Sequence, residues 1–406
     1  MERRAASTRL RQPPGTGRCL TRAVVGISLL TLAPGRMGGS ETYARQLCSA
    51  LARVGELDYR AFVPPAAPDA ADGLETRVVE EYGAPRSTPA RAAAIALGAI
   101  APGRLRRGMR VDELDAIHFP LTVMLPSPPR DLPVATTILD LQHEEHPEFF
   151  SRAQLLYRRR FYRRPILESR IVITISEHAR QTILERYPLD PQRVRAIHLA
   201  VDHATFAPRD VPREPFLLYP ANAWPHKNHA RLFAAFELLR RERPELRLVL
   251  TGSGHAALRL PTGVESRGHV TLDELVRLYR TTAAVVYPSL YEGFGIPCLE
   301  AMACGTPVAA SNVASLPEVC GDAAVYLDPT SVESIADAVR RVLDAPPRGG
   351  VEQAARFTWE RCAGGHEAVY RELVEERAGT TVSSRRGLAG LRRSRRAGRR
   401  DRRHAP

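Results

Sequence analysis

Short apolar runs alternate along this chain with longer stretches in which apolar residues recur at helical spacing. The first run, AVVGISLL at 23–30, reads as a buried strand. GGSETYARQL follows and predicts a helix over 40–53, with Ser40 as N-cap and Tyr43, Ala44, Leu47 and Leu51 on one face. DAIHF (115–119) and PVATTIL (133–139) read as short strands, and 151–168 as a helix with an arginine-rich outer face. RIVITIS (170–176) is a strand that ends where Ser176 and Glu177 open a helix to 186, and VRAIHLAVD (194–202) closes this half.

Residues 203–215, HATFAPRDVPREP, are Pro-rich, charged and aperiodic, which marks a linker. The alternation then restarts. FLLYP (216–220), LRLVLTG (246–252), AAVVYPS (283–289) and PVAAS (307–311) read as strands. Between them lie a helix over 228–243, with Asn228 as N-cap and Leu232, Phe233, Phe236 and Leu239 inward, a helix over 272–281 behind the capping-box pattern Thr271–Glu274, and a helix over 297–304. A last helical stretch spans 352–376 and is expected to pack back on the first half. Two βα-alternating halves, 23–202 and 216–351, predict two doubly wound parallel sheets with a cleft between them. The length of 406 residues also exceeds what one ordinary core supports.

Charge changes this picture only at the ends. Residues 384–406 hold ten Arg against one Asp (+9) and residues 1–22 six Arg against one Glu (+5), which leaves −1 of the net +13 for residues 23–383. The ends, 1–22 and 377–406, read as basic disordered segments. Attraction of the tail to an anionic membrane is a second reading and nucleic acid a third. The six cysteines show no CxxC pair and no zinc spacing, and read as thiols in a reducing compartment. The apolar run at 23–33 also admits a signal peptide, but the glycine loop and helix that follow it favour a strand. No run reaches membrane-spanning length, which sets the expected location as cytoplasmic or at the inner face of a membrane.

The richest segment is YPSLYEGFGIPCLEAMACGTPV, 287–308. A strand ends at Pro288, a glycine loop of Glu292, Gly293, Phe294 and Gly295 follows, Pro297 stands at a helix start and Gly305 just past its end. Such a loop lets backbone approach a ligand, and a helix start offers unpaired N–H groups to an anion. Glu292 and Glu300 are placed to flank one extended ligand, and carboxylates accept well from vicinal hydroxyls. Of 58 Lys and Arg side chains, Lys227 is the one lysine. It stands between a strand end and a helix start, where a compact point charge completes an anion site.

This segment resembles the E-x7-E signature of retaining GT-B glycosyltransferases, the large family 4 group. GGSETYARQL resembles that family's N-domain glycine loop, ISEHARQTI (175–183) its strand–helix junction, and SLPEVCGDAAVYLDP (315–329) its closing motif. DLQHEEHPEFFS (140–151) resembles the acceptor-side motif of mannosyl- and rhamnosyltransferase-like members. The resemblance implies a GT-B fold of two Rossmann-like domains and a metal-independent hexosyltransferase without cofactor. Its donor would be a nucleotide-sugar, GDP-mannose being favoured over UDP- or dTDP-sugars. Its acceptor would be a hydroxyl on a glycan, a lipid-linked glycan or a small glycoside.

The resemblance also implies roles. Glu300 would hold the ribose and Glu292 would face the donor sugar. The N–H groups of Gly293, Phe294 and Gly295 would contact sugar or diphosphate. Lys227 would neutralise the leaving diphosphate, with Gly38 and Gly39 closing from the other domain. His118, Asp140, Gln142 and His143 are acceptor-side candidates. Two departures stand out. Many members carry an arginine shortly before the lysine, where this chain has Ala221 and Asn222, and a histidine where this chain has Leu139. Competing readings are a GT-B sugar-nucleotide epimerase, an inactive partner subunit, and a basic-tailed scaffold or nucleic-acid binder.

Overall fold

β-Branched, fully buried runs such as VATTI and IVIT suit strands covered on both faces, and they form the centre of the first sheet. In the computed structural model, which describes residues 22–83 and 88–400, that sheet contains β1 (Val24–Ser28), β2 (Asp58–Val63), β3 (Glu75–Val78), β4 (Ala116–Phe119), β5 (Val134–Ile138), β6 (Ile171–Thr174) and β7 (Val194–Ala196). The strand order is β3-β2-β1-β4-β5-β6-β7, all parallel. The second sheet contains β8 (Glu214–Pro220), β9 (Arg247–Thr251), β10 (Val264–Ser266), β11 (Thr282–Tyr287), β12 (Val308–Ser311) and β13 (Val325–Leu327), in the order β10-β9-β8-β11-β12-β13, again all parallel.

Each sheet reverses its winding once, beside β1 in the first and beside β8 in the second. At such points the flanking crossovers leave on opposite faces and open a crevice outside the strands' carboxyl ends. β8 takes up Glu214 and Pro215, the last two residues of the expected linker. Among the described residues no helix is long and apolar enough to cross a membrane.

Two expected caps are different in the structure. The helix Gly39–Val54 starts from Gly38, at φ 53°, rather than from Ser40, and no side chain caps it. Asn228 precedes the helix His229–Glu242 but is left-handed at φ 60°, a conformation asparagine tolerates. Its amide donates to the carbonyls of Pro288 (2.9 Å) and Pro329 (2.8 Å) instead of capping. By contrast Ser151, Ser176 and Thr271 each accept an N–H bond from the third residue of the helix they open.

The chain ends in a helix over Trp359–Arg400, which packs on Gly39–Val54 of the first half. It runs well past the expected end at 376 and through most of the tail expected to be disordered. Arginine, alanine and leucine are good helix formers, and this stretch holds no proline to stop them. Residues 1–21 and 401–406 lie outside the described residues.

A buried polar chain fastens this helix. Tyr43 Oη meets Thr137 Oγ1 (2.9 Å) and His366 Nε2 (2.8 Å), and His118 bridges Thr137 Oγ1 and Tyr370 Oη, both at 2.8 Å. Burial pushes the His366 imidazole down to about 4 and His118 well below its usual range, so both stay neutral partners.

Candidate active site

The crevice between the two sheets encloses about 750 Å³. Gly38, Gly39, Leu139, Asp140, Gln142 and Arg158 line it from the first domain. Asn222, Lys227, Thr251, His269, Glu292 and Glu300 line it from the second, with the Gly293–Phe294–Gly295 loop at its centre.

Lys227 sits in the 3-10 turn Pro225–Lys227, formed because Pro225 fixes the first turn position just after β8. Tyr219 Oη donates to the Lys227 carbonyl at 2.5 Å, which fixes the backbone. The side chain is 8% exposed as a residue, and its Nζ donates to Glu292 Oε1 at 2.5 Å and to Tyr287 Oη at 3.0 Å. An ammonium has three N–H donors, so one remains for a ligand. The two loops are laced together, because Leu290 N–H donates to the His226 carbonyl at 2.8 Å and the Asn228 amide reaches Pro288.

The glycine loop is shaped by what surrounds it. Gly295 has φ +101°, which admits glycine readily. A Cβ on Gly293 would lie 2.9 Å from Asp140 Oδ2, so a larger residue there would push the Asp140 side chain of the opposite domain aside. Pro297 falls in the first turn of the helix Ile296–Ala303, and Gly305 follows its end at φ +72°. Among the described residues, the N–H groups of Gly293, Phe294 and Gly295 have no acceptor within the chain.

Glu300 accepts from Tyr279 Oη at 2.8 Å. Burial raises its carboxyl to about 7, with the tyrosine bond opposing. The resemblance implies a ribose here, and a diol donates to the ionised form, so a nucleotide held this way would release a proton on binding below that value. On that expectation donor KM rises as pH falls from 7.5 to 6, approaching tenfold per unit at the acid end. In Glu300→Gln that pH dependence disappears, as steady-state kinetics across the range will show.

The acceptor-side candidates separate. Asp140 and Gln142 line the cleft, and burial raises the Asp140 carboxyl. His118 and His143 do not line it. His118 belongs to the buried chain described above, because β4 turns its side chain toward the final helix. His143 is fully buried, 4.7 Å from the Tyr162 ring centre, and burial lowers it to about 4. Asn222 is partly committed, its Oδ1 accepting from Ser253 N (2.7 Å) and Oγ (3.0 Å).

Three functional neighbours were not found from the sequence. Tyr287 and Tyr279 hold Lys227 and Glu300 from element positions that read as core. Arg158 lies 4.6 Å over the Phe150 ring and donates to Tyr162 Oη at 3.3 Å. Among the described residues no carboxylate lies within ion-pair distance of Arg158. With Arg36, it brings arginine cations to the cleft from the first domain.

Residues 204–358 match the family model of glycosyl transferases group 1, and residues 37–205 that of Glycosyltransferase Family 4. The chain is 30% identical over 256 residues to the O-antigen chain mannosyltransferase B of Escherichia coli, covering 56% of this chain and 67% of the relative. It is 32% identical over 222 residues to the MMP alpha-(1->4)-mannosyltransferase of Mycolicibacterium hassiacum, covering 50% and 54%. In fold it is similar to a sucrose-phosphate synthase of Thermosynechococcus elongatus, with a TM-score of 0.69, 22% identity and coverage of 87% and 100%. It is also similar to a glycosyltransferase of Rickettsia africae, with a TM-score of 0.61, 15% identity and coverage of 87% and 99%.

Proposed function

Because the chain belongs to the glycosyl transferases group 1 family, and is a hexosyltransferase of GT-B fold, we propose that it works with retention and without a metal, moving mannose from GDP-mannose to a hydroxyl of a glycan or lipid-linked acceptor. The observation that carries this reading is Lys227, buried and paired with Glu292, with one ammonium proton left beside three unpaired loop N–H groups.

In this reading the ribose hydroxyls donate to Glu300. The diphosphate lies between Lys227, the loop N–H groups and the uncapped helix start at Gly38 and Gly39. As the glycosyl C1–O bond breaks, negative charge grows on the β-phosphate, where a fixed cation and oriented donors stabilise it most. Glu292 keeps the ammonium aimed before the donor arrives. The acceptor hydroxyl attacks on the face the diphosphate leaves, and its proton passes to a departing phosphate oxygen. Leu139 faces the sugar as an apolar wall, and Arg158 stands in for the cation missing at Ala221 and Asn222. The names of the mannosyltransferase relatives support the choice of sugar. The basic tail is proposed as a peripheral contact with an anionic membrane, which would bring a lipid-linked acceptor to the cleft.

Thermal shift against UDP-, GDP- and dTDP-sugars, followed by assays of nucleotide release with acceptor, tests this reading. GDP-mannose is expected to stabilise most, and EDTA to change the rate by less than about twofold. Release that requires added Mg²⁺ after chelation would contradict the metal-free mechanism.

A further inference from the structure

Two serines hold the carbonyls of the glycine loop, and one of them comes from the opposite domain. Ser315 Oγ donates to the Glu292 carbonyl at 2.9 Å. Ser176 Oγ, on the first domain, donates to the Gly293 carbonyl at 3.0 Å while accepting from Ala179 N at 3.1 Å. Ser176 is itself fully buried. In a trans peptide the carbonyl and the following N–H point in opposite directions. Pinning the Gly293 carbonyl therefore fixes the Phe294 N–H the opposite way, and Ser315 does the same for the Gly293 N–H.

The helix start that carries Ser176 is held from across the cleft. Glu318 of the second domain accepts from the N–H groups of Glu177 (2.7 Å) and His178 (3.2 Å), and its Oε1 meets His198 Nε2 at 2.5 Å. Burial raises the Glu318 carboxyl, but the His198 bond and the two N–H bonds outweigh it and hold the group below the usual carboxylate range. The junction is thus reciprocal. A second-domain carboxylate fixes a first-domain helix start, and that helix start fixes the second domain's catalytic loop.

We propose that Ser176 is a positioning residue for the leaving group, its cross-domain hydrogen bond to the Gly293 carbonyl turning the Phe294 N–H toward the departing diphosphate, with Glu318 holding Ser176 in place. This rests on the glycosyl-transfer reading above. The donor loop is complete only while both domains meet at this junction.

Ser176→Asp keeps a capping oxygen but has no hydrogen to give the carbonyl, whereas Ser176→Thr keeps both functions. Hydrogen exchange of the Cys298 and Leu299 amides, which donate to the Gly295 carbonyl of the loop, read on the full chain without substrate, is expected to quicken about tenfold in Ser176→Asp and to return to wild type in Ser176→Thr. Glu318→Ala, on the other domain, is expected to quicken the same amides, and it serves if Ser176→Asp fails to fold. With donor and acceptor present, kcat in Ser176→Asp is expected to fall about tenfold while donor KM moves less, since the N–H bond strengthens as charge develops. Wild-type exchange in both the Ser176→Asp and Glu318→Ala proteins would overturn the proposal. So would an unchanged kcat in a Ser176→Asp protein whose loop has loosened. Absence of transfer by the wild-type protein would instead remove the reaction and leave the exchange result standing.

Discussion

Lys227→Ala is expected to lower transfer by roughly 10³-fold, read as nucleotide release in the presence of acceptor. Two losses combine. The β-phosphate loses the one ammonium positioned in the cleft, and Glu292 is left as a buried carboxylate without its partner. Breaking a buried pair from one side is costly in itself, so melting temperature should fall as well. Lys227→Arg separates charge from shape. The lysine occupies a closed space between Glu292 and Tyr287, with its Nζ 5.1 Å from the tyrosine ring centre. A planar fork does not fit the same three directions, so arginine should recover less than about a tenth of the activity. That would explain why a chain that uses arginine almost everywhere keeps a lysine here.

Glu292→Gln is expected to lower kcat about 10²-fold with a smaller change in donor KM. Glutamine keeps the size and one acceptor oxygen, so the lysine stays roughly in place. The change removes the charge that aims the ammonium and faces the sugar as positive character grows on C1. Parallel kinetics with Glu300→Gln separates the two carboxylates, because the proposed place of the latter is at the ribose, where its loss would act on donor binding. A Glu292→Gln enzyme with wild-type kcat would return Glu292 to a purely structural role.

The centre of this site was legible because its signals are local. Pro297 and Gly305 bracket a helix, Gly293 and Gly295 mark a loop pressed against its surroundings, and Lys227 stands alone at a strand end. Its partners were hidden because they come from elsewhere in the chain. Tyr287 is 60 residues from Lys227 and Tyr279 is 21 from Glu300, and an inward tyrosine on a strand or helix looks like packing. Arg158 was masked by the five other arginines on the helix Arg152–Glu168. His118 was misplaced because its Tyr370 partner lies 252 residues downstream, on a helix whose docking no spacing reveals.

The fold shows the same division. The strands β1, β5 and β11 and the helices capped by Ser151 and Ser176 match their expected bounds within a residue or two. β2 and β3 were not assigned, since DYRAFV and ETRV mix charge into strands near the sheet edge. The helix Val332–Asp344 was also passed over, although Ile335, Ala336, Val339 and Val342 form a clear buried stripe.

At the centre of the proposed function is a diphosphate held by Lys227 and the glycine loop. Calorimetric titration of GDP against GMP, and of UDP against UMP, into wild-type and Lys227→Ala protein tests it most directly. The diphosphate of the accepted base is expected to bind at least about tenfold tighter than its monophosphate in wild type, and this margin to collapse in Lys227→Ala. An equal diphosphate preference in the two proteins would contradict it.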